Sequence, residues 1–362
     1  MHEVFYSGGR EMLTEDGTFI TGQMYAERYR PKHPPTLPPV VMVHGTGQSG
    51  SGFITNLAGA PGWAHDFVTA GHETVVVDQV GRGRSGTDPR QYGRADPMPL
   101  HDVDSLFART KRYQRFPDSD RHTRWPDDDA TFSHFSASQL PSLADRRLAE
   151  ELNVLALEKL LLDIGPAIIL THSQASTFGF GVTDRRPELV LAHVTVEPNG
   201  PPFFDLSYTP GQWDVPLPGT ERPFGITRLP LTFDPPLPLG ETLQPVRNKN
   251  SIQGEIQGWL QEEPARKLTR LASTPTAIVT ADASYRTRVD AATSRFLTQA
   301  GVNHEHIQLS HHGITGNGHM MMLEPNSSEI AQVIIRWIHR TLTQGNPPTR
   351  IHPRGRKRRQ PS

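Results

Sequence analysis

The chain has no cysteine, which removes disulfides, thiolate metal sites and cysteine nucleophiles together and leaves the redox compartment open. Any nucleophile must then be an oxygen or a nitrogen. Neither sign of charge is in excess: 37 Lys and Arg stand against 38 Asp and Glu, so no net field gathers nucleic acid or an anionic membrane surface. The expected partner is a small molecule near neutral charge, with no nucleic acid and no membrane. A continuous apolar run long enough to span a bilayer is missing, and Met1-His2-Glu3-Val4-Phe5-Tyr6 lacks the basic and then apolar pattern of a leader. Cytoplasmic residence is the expectation.

What the 362 residues do contain is alternation. Short β-rich apolar runs, at 39–44, 73–78, 167–171, 192–197, 276–280 and 306–309, are separated by longer helical stretches. That pattern predicts an α/β fold, a mostly parallel central sheet flanked by helices. Residues 145–162 carry the apolar recurrence of an amphipathic helix, with Leu148, Leu152, Leu155 and Leu162 as its inward stripe. A last helix is expected from about Ser327 to Leu342, packing through Ile330, Val333, Ile334, Trp337 and Ile338.

Two stretches interrupt the alternation. Residues 89–142 are polar and rich in Asp, Arg and His, and residues 199–263 are crowded with proline. Insertions of that length are usually functional or mobile. Phe132, Phe135, Phe203, Phe204, Tyr208 and Trp213 favour a cap or lid over a site. The expected division is a core of 1–88, 143–198 and 264–345, cap insertions at 89–142 and 199–263, and a basic, disordered tail at 346–362.

The chemistry begins at Thr171-His172-Ser173-Gln174-Ala175, directly after an apolar run. A sharp turn from strand to helix there would expose a serine hydroxyl, and the turn needs small residues two positions either side of it. Serine acyl transfer also requires a base, an acid that supports the base, and N–H donors for the oxyanion. His44-Gly45-Thr46-Gly47 follows the first strong strand, and the donors expected are the N–H groups of Thr46 and Gln174. A phosphate loop is the rival reading of that turn, but its lysine is missing. His319, in Gly316-Asn317-Gly318-His319, is the expected base, with His304, His306, His311 and His312 as competitors. Those four lack a metal-ligand spacing, so no metal and no cofactor is expected. For the acid the residues leave two choices, Glu197 at one strand end and Asp282 at the next.

With these motifs the chain resembles the α/β-hydrolase superfamily. Asp78-Gln79-Val80-Gly81-Arg82-Gly83-Arg84-Ser85, characteristic of that superfamily, is structural there and excludes Asp78 as the acid. The nearest likeness is to bacterial carboxylesterases with a capping insertion and a Glu acid after the sixth strand, which favours Glu197 over Asp282. Thr171, Ala175 and Gln174 depart from the superfamily's usual elbow. The resemblance implies a serine esterase or lactonase with Ser173, His319 and Glu197 as triad, and a homodimer; the cap aromatics and balanced charge predict a neutral, partly apolar small-molecule substrate. An acyltransferase, or a ligand-binding member of the fold with little turnover, is the alternative.

Overall fold

The computed structural model describes residues 2–249 and 253–344, so the tail expected at 346–362 lies outside the described residues. Eight strands form one sheet: β1 (His2–Thr14), β2 (Gly17–Tyr29), β3 (Leu37–Val43), β4 (His72–Asp78), β5 (Ala167–His172), β6 (Val190–Val196), β7 (Thr276–Thr280) and β8 (His304–Gln308). Their spatial order is β1-β2-β4-β3-β5-β6-β7-β8. The hairpin β1–β2 joins β4 antiparallel, and β4 through β8 run parallel. β3 to β7 are apolar and almost wholly buried because helices cover both faces, as a parallel sheet requires. Since the strands are parallel, the carboxyl ends of β3, β5, β6 and β7 meet at one edge, where a site can assemble.

Five helices matter for that site: α1 (Trp63–Thr69), α2 (Arg146–Ile164), α3 (Ser176–Arg185), α4 (Asp290–Gln299) and α5 (Ser327–Gln344). In α5 all five residues expected to pack are buried. In α2 the expected stripe is corrected. Leu155 and Leu162 are 47% and 55% exposed, while Ala149, Val154, Ala156, Leu157, Leu160 and Leu161 are buried. The inward face includes two alanines that let the helix lie close, with the Ala156 side chain near Gly8. It also includes Asn153, whose side-chain oxygen accepts from the Val80 N–H at 2.8 Å. Of the four leucines expected inward, Leu152 does pack against the core.

The hairpin β1–β2 was not foreseen. Much of its surface is exposed, so it carries no continuous apolar run. Residues 89–142 begin and end close together, with Ala95–Asp96 pairing antiparallel to Ser142–Leu143. Residues 199–263 hold one short pair, Pro245–Arg247 with Trp259–Gln261. Their core is a fully buried guanidinium: Arg222 reaches Asp205 at 2.5 Å and the Phe204 carbonyl at 2.6 Å.

Candidate active site

Ser173 directly follows β5 and precedes α3, with φ at 53°. This left-handed conformation is uncommon for a residue with a side chain, and it is what a sharp strand-to-helix turn imposes on its apex. The absent elbow glycine at position 171 is compensated elsewhere. A Cβ on Gly179 of α3 would lie 2.8 Å from Thr171 Cγ2 and 2.3 Å from His193 Nε2. The room that small residues usually provide at the elbow is supplied one turn into the helix. The Thr171 hydroxyl, 2.8 Å from His193 Nε2, is satisfied in the same space.

Glu197 follows β6, also with positive φ, at 45°. Its carboxyl is fully buried and reaches three groups. His319 Nδ1 lies 2.6 Å from Oε2, the Ser284 hydroxyl donates to Oε2 at 2.6 Å, and the Ala281 N–H donates to Oε1 at 3.0 Å. Burial pushes the Glu197 carboxyl upward, while Ser284, the Ala281 N–H and Arg286 favour its charged form. Burial, and then the Arg286 charge, hold His319 well below its ordinary value of 6.5, which favours the neutral imidazole. His319 Nε2 has no hydrogen-bond partner among the described residues. The ring is clamped by His172 at 4.5 Å, Tyr285 at 4.6 Å and Phe107 at 5.3 Å between centroids.

The structure thus brings Glu197, and not Asp282, to His319. Asp282 instead accepts from the Gly316 N–H at 2.8 Å, fixing the start of the loop that carries the histidine. His304 and His306 are bonded to Ser294 at 2.8 Å and Thr280 at 2.9 Å, and His311 and His312 are exposed, all away from Ser173.

The turn after β3 approaches Ser173 as closely as chemistry allows. A Cβ on Gly45 would lie 2.8 Å from Ser173 Cβ and 2.9 Å from His172 Nδ1, so only glycine fits. Arg82 ties this turn to the elbow, donating to the Gly45 carbonyl at 2.8 Å and to Gln174 Oε1 at 3.3 Å. Asp78 accepts from the Gly50 N–H at 2.8 Å and from Arg84 N and Nε, each at 2.8 Å, which explains why an acid at this strand end shapes the loop. Thr46, Ser173 and Gln174 line one cavity of about 450 Å3.

Both insertions also line that cavity, through Asp102, Phe107 and Arg115 from the first and Asp205, Tyr208 and Arg228 from the second. Of the six aromatics expected over the site, only Tyr208 does so. Phe203 packs on Phe296 and Phe135 on Trp125, as core. Sequence reasoning missed Ser284, Tyr285 and Arg286, which stand directly after the rejected acid Asp282. Their only signal was their place at a strand's carboxyl end.

A family profile described as the alpha/beta hydrolase fold matches residues 38–224, the span that holds the strained serine after β5. The chain belongs to the α/β-hydrolase fold family. Within it, the chain is 37% identical over 341 residues, 93% of its length and 89% of the relative's, to "Probable secreted lipase phiG" of a fungal species, strain ATCC 74256. That relative overturns the expectation of cytoplasmic residence, because it points to a secreted protein. Among solved structures, a novel bacterial esterase superposes with a TM-score of 0.61 at 23% identity, covering 94% of this chain and 96% of its own, a likeness of fold.

Proposed function

We propose that this α/β-hydrolase cleaves a carboxylic ester or lactone through an acyl-enzyme on Ser173. The observation that carries the reading is the buried His319–Glu197 pair at 2.6 Å, with the other imidazole nitrogen unpartnered among the described residues and the ring 4.5 Å from that of His172, which precedes the strained elbow serine. The 37% identity to a protein named as a lipase supports ester chemistry, and the Glu acid after β6 fits the carboxylesterase subgroup that the sequence resembles.

In this reading Ser173 Oγ attacks the carbonyl carbon while its proton passes to His319 Nε2. Glu197 accepts the Nδ1 proton's hydrogen bond and stabilises the imidazolium. The N–H groups of Thr46 and Gln174 receive the oxyanion, each such donor contributing on the order of a hundredfold or more in rate. Collapse breaks the bond to the alcohol, which leaves with the proton from His319. Water then repeats the sequence on the acyl-enzyme, releasing the acid. Residues 89–142 and 199–263 act as a cap, since both wall the cavity over Ser173.

The test is turnover of p-nitrophenyl acetate and butyrate by the protein beside its Ser173→Ala variant. Steady turnover that disappears with Ser173→Ala sustains the reading. A single stoichiometric burst would move it to a binding or sensing protein, and turnover indifferent to Ser173 would remove the triad.

A further inference from the structure

The charges around the cavity do not cancel. Arg115 is paired with Asp102 at 2.5 Å, Arg146 with Asp205 at 2.7 Å, and Arg228 faces Glu150 at 3.9 Å. Arg286 differs. It is 4% exposed, lines the same cavity as Ser173, and every acceptor it reaches among the described residues is neutral. These are the Gly200 carbonyl, Asn199 Oδ1 at 3.1 Å and the Tyr208 hydroxyl at 3.3 Å. The guanidinium also bonds with the neutral Tyr285 hydroxyl and lies 4.8 Å from that ring's centroid, and Nε has no hydrogen-bond partner among the described residues.

More distant acids do not make up the difference. Asp205 attracts Arg286, but its carboxylate already serves both Arg146 and Arg222. Asp290 also attracts it, but its carboxyl accepts from the Thr280 hydroxyl at 2.7 Å, and no ion pair joins it to Arg286 among the described residues. Glu197 feels the Arg286 charge as well, but its carboxyl is committed to His319, Ser284 and the Ala281 N–H. A cation buried without a directly paired anion is costly. Here it carries a second cost, because the same charge disfavours the imidazolium that His319 forms in acyl transfer.

We propose that Arg286 receives an anionic group of the substrate, so that the preferred ester carries a carboxylate within reach of the scissile carbonyl. A bound carboxylate answers both costs: it pairs with the guanidinium, whose planar fork suits it, and it screens His319 from the positive charge. The inference rests on the ester-hydrolase reading and replaces the neutral, partly apolar substrate that overall composition suggested. Overall balance of charge says nothing about one wall of one cavity.

Two pairs of esters test it, each differing by one carboxylate: p-nitrophenyl hemiglutarate against p-nitrophenyl pentanoate, and 4-carboxyphenyl butyrate against phenyl butyrate. The wild-type protein should prefer the charged member of at least one pair by roughly tenfold or more in kcat/KM, the scale of a charge-assisted hydrogen bond. Arg286→Gln should abolish that preference and Arg286→Lys should keep part of it. Equal or better turnover of the neutral member in both pairs overturns the proposal, as does an Arg286→Gln variant that loses activity on both members alike. If Arg286→Gln does not fold, the wild-type preference and Arg286→Lys still decide. If no ester is turned over, the hydrolase reading fails by itself. Calorimetric binding of glutarate to wild type and to Arg286→Lys then decides the anion site, tighter binding by wild type sustaining it and equal or absent binding overturning it.

Discussion

Two buried histidine–carboxylate pairs lie close together in this molecule. His319 Nδ1 is 2.6 Å from Glu197, and His122 Nε2 is 2.7 Å from Glu324. Side-chain exposure is at most 1% in both. What separates them is the remaining nitrogen. In His122 it sits 3.0 Å from the Thr110 hydroxyl, so the ring is closed at both ends. In His319 it has no partner among the described residues, and the ring lies 4.5 Å from that of His172, the neighbour of the elbow serine. Glu324 is likewise saturated, accepting from the Gly318 N–H at 2.9 Å and Asn317 Nδ2 at 2.5 Å. The second pair therefore fastens residues 89–142 to the loop that carries His319. A histidine–acid pair becomes chemical only when one nitrogen is left over for a substrate-side group.

Breaking each pair should separate the two roles. Glu197→Gln is expected to lower kcat by on the order of a thousandfold to ten-thousandfold, because the amide no longer holds the imidazole in its working tautomer. Glu324→Gln should instead appear first in unfolding, with a loss of about 1–3 kcal/mol in urea titrations from unpaired buried donors, and should lower kcat far less. Equal losses of kcat in the two variants would erase the distinction.

A smaller effect is expected from Gly45→Ala. The added methyl meets Ser173 Cβ and His172 Nδ1 together, displacing the turn expected to hold the oxyanion. Loss of one such donor corresponds to roughly a hundredfold in kcat, and ester kinetics with little change in KM would check it.

The smallest effect concerns pH. His319 is held well below 6.5 by burial and by Arg286, so the acid limb of kcat/KM for a neutral ester should lie below pH 6.5. Removing the positive charge raises the His319 pKa, and Arg286→Gln should move that limb upward toward 6.5. An unmoved limb would show that burial alone sets the basicity of His319.

Much of this was legible beforehand, and for physical reasons. β3, β4 and β5 are buried on both faces, so they appear as unbroken apolar runs. The elbow serine follows such a run, and His319 precedes a helix whose packing stripe is plain in the sequence. The hairpin β1–β2 was not legible, because an exposed edge needs no apolar pattern. The face of α2 was misread, because the leucines of this helix are spread around it, and Leu157, Leu160 and Leu161 pack inward with Ala149 and Ala156 while Leu155 and Leu162 face solvent. Gly179 could not be connected to Thr171, since they touch only once helix and strand are packed.

The sequence by itself determined the order of strands and helices, the position of a serine at a strand end, and two acids available to serve one histidine. Those features depend on local propensity and on which residues avoid water, and both are written along the chain. Tertiary structure decided that Glu197 rather than Asp282 meets His319, that His122 is sealed while His319 is open, and that Arg286 faces the cavity beside Ser173 without a directly paired anion. Each is a relation between segments far apart in the chain, set by the sheet's twist and register, and a single sequence does not encode those distances in any local pattern.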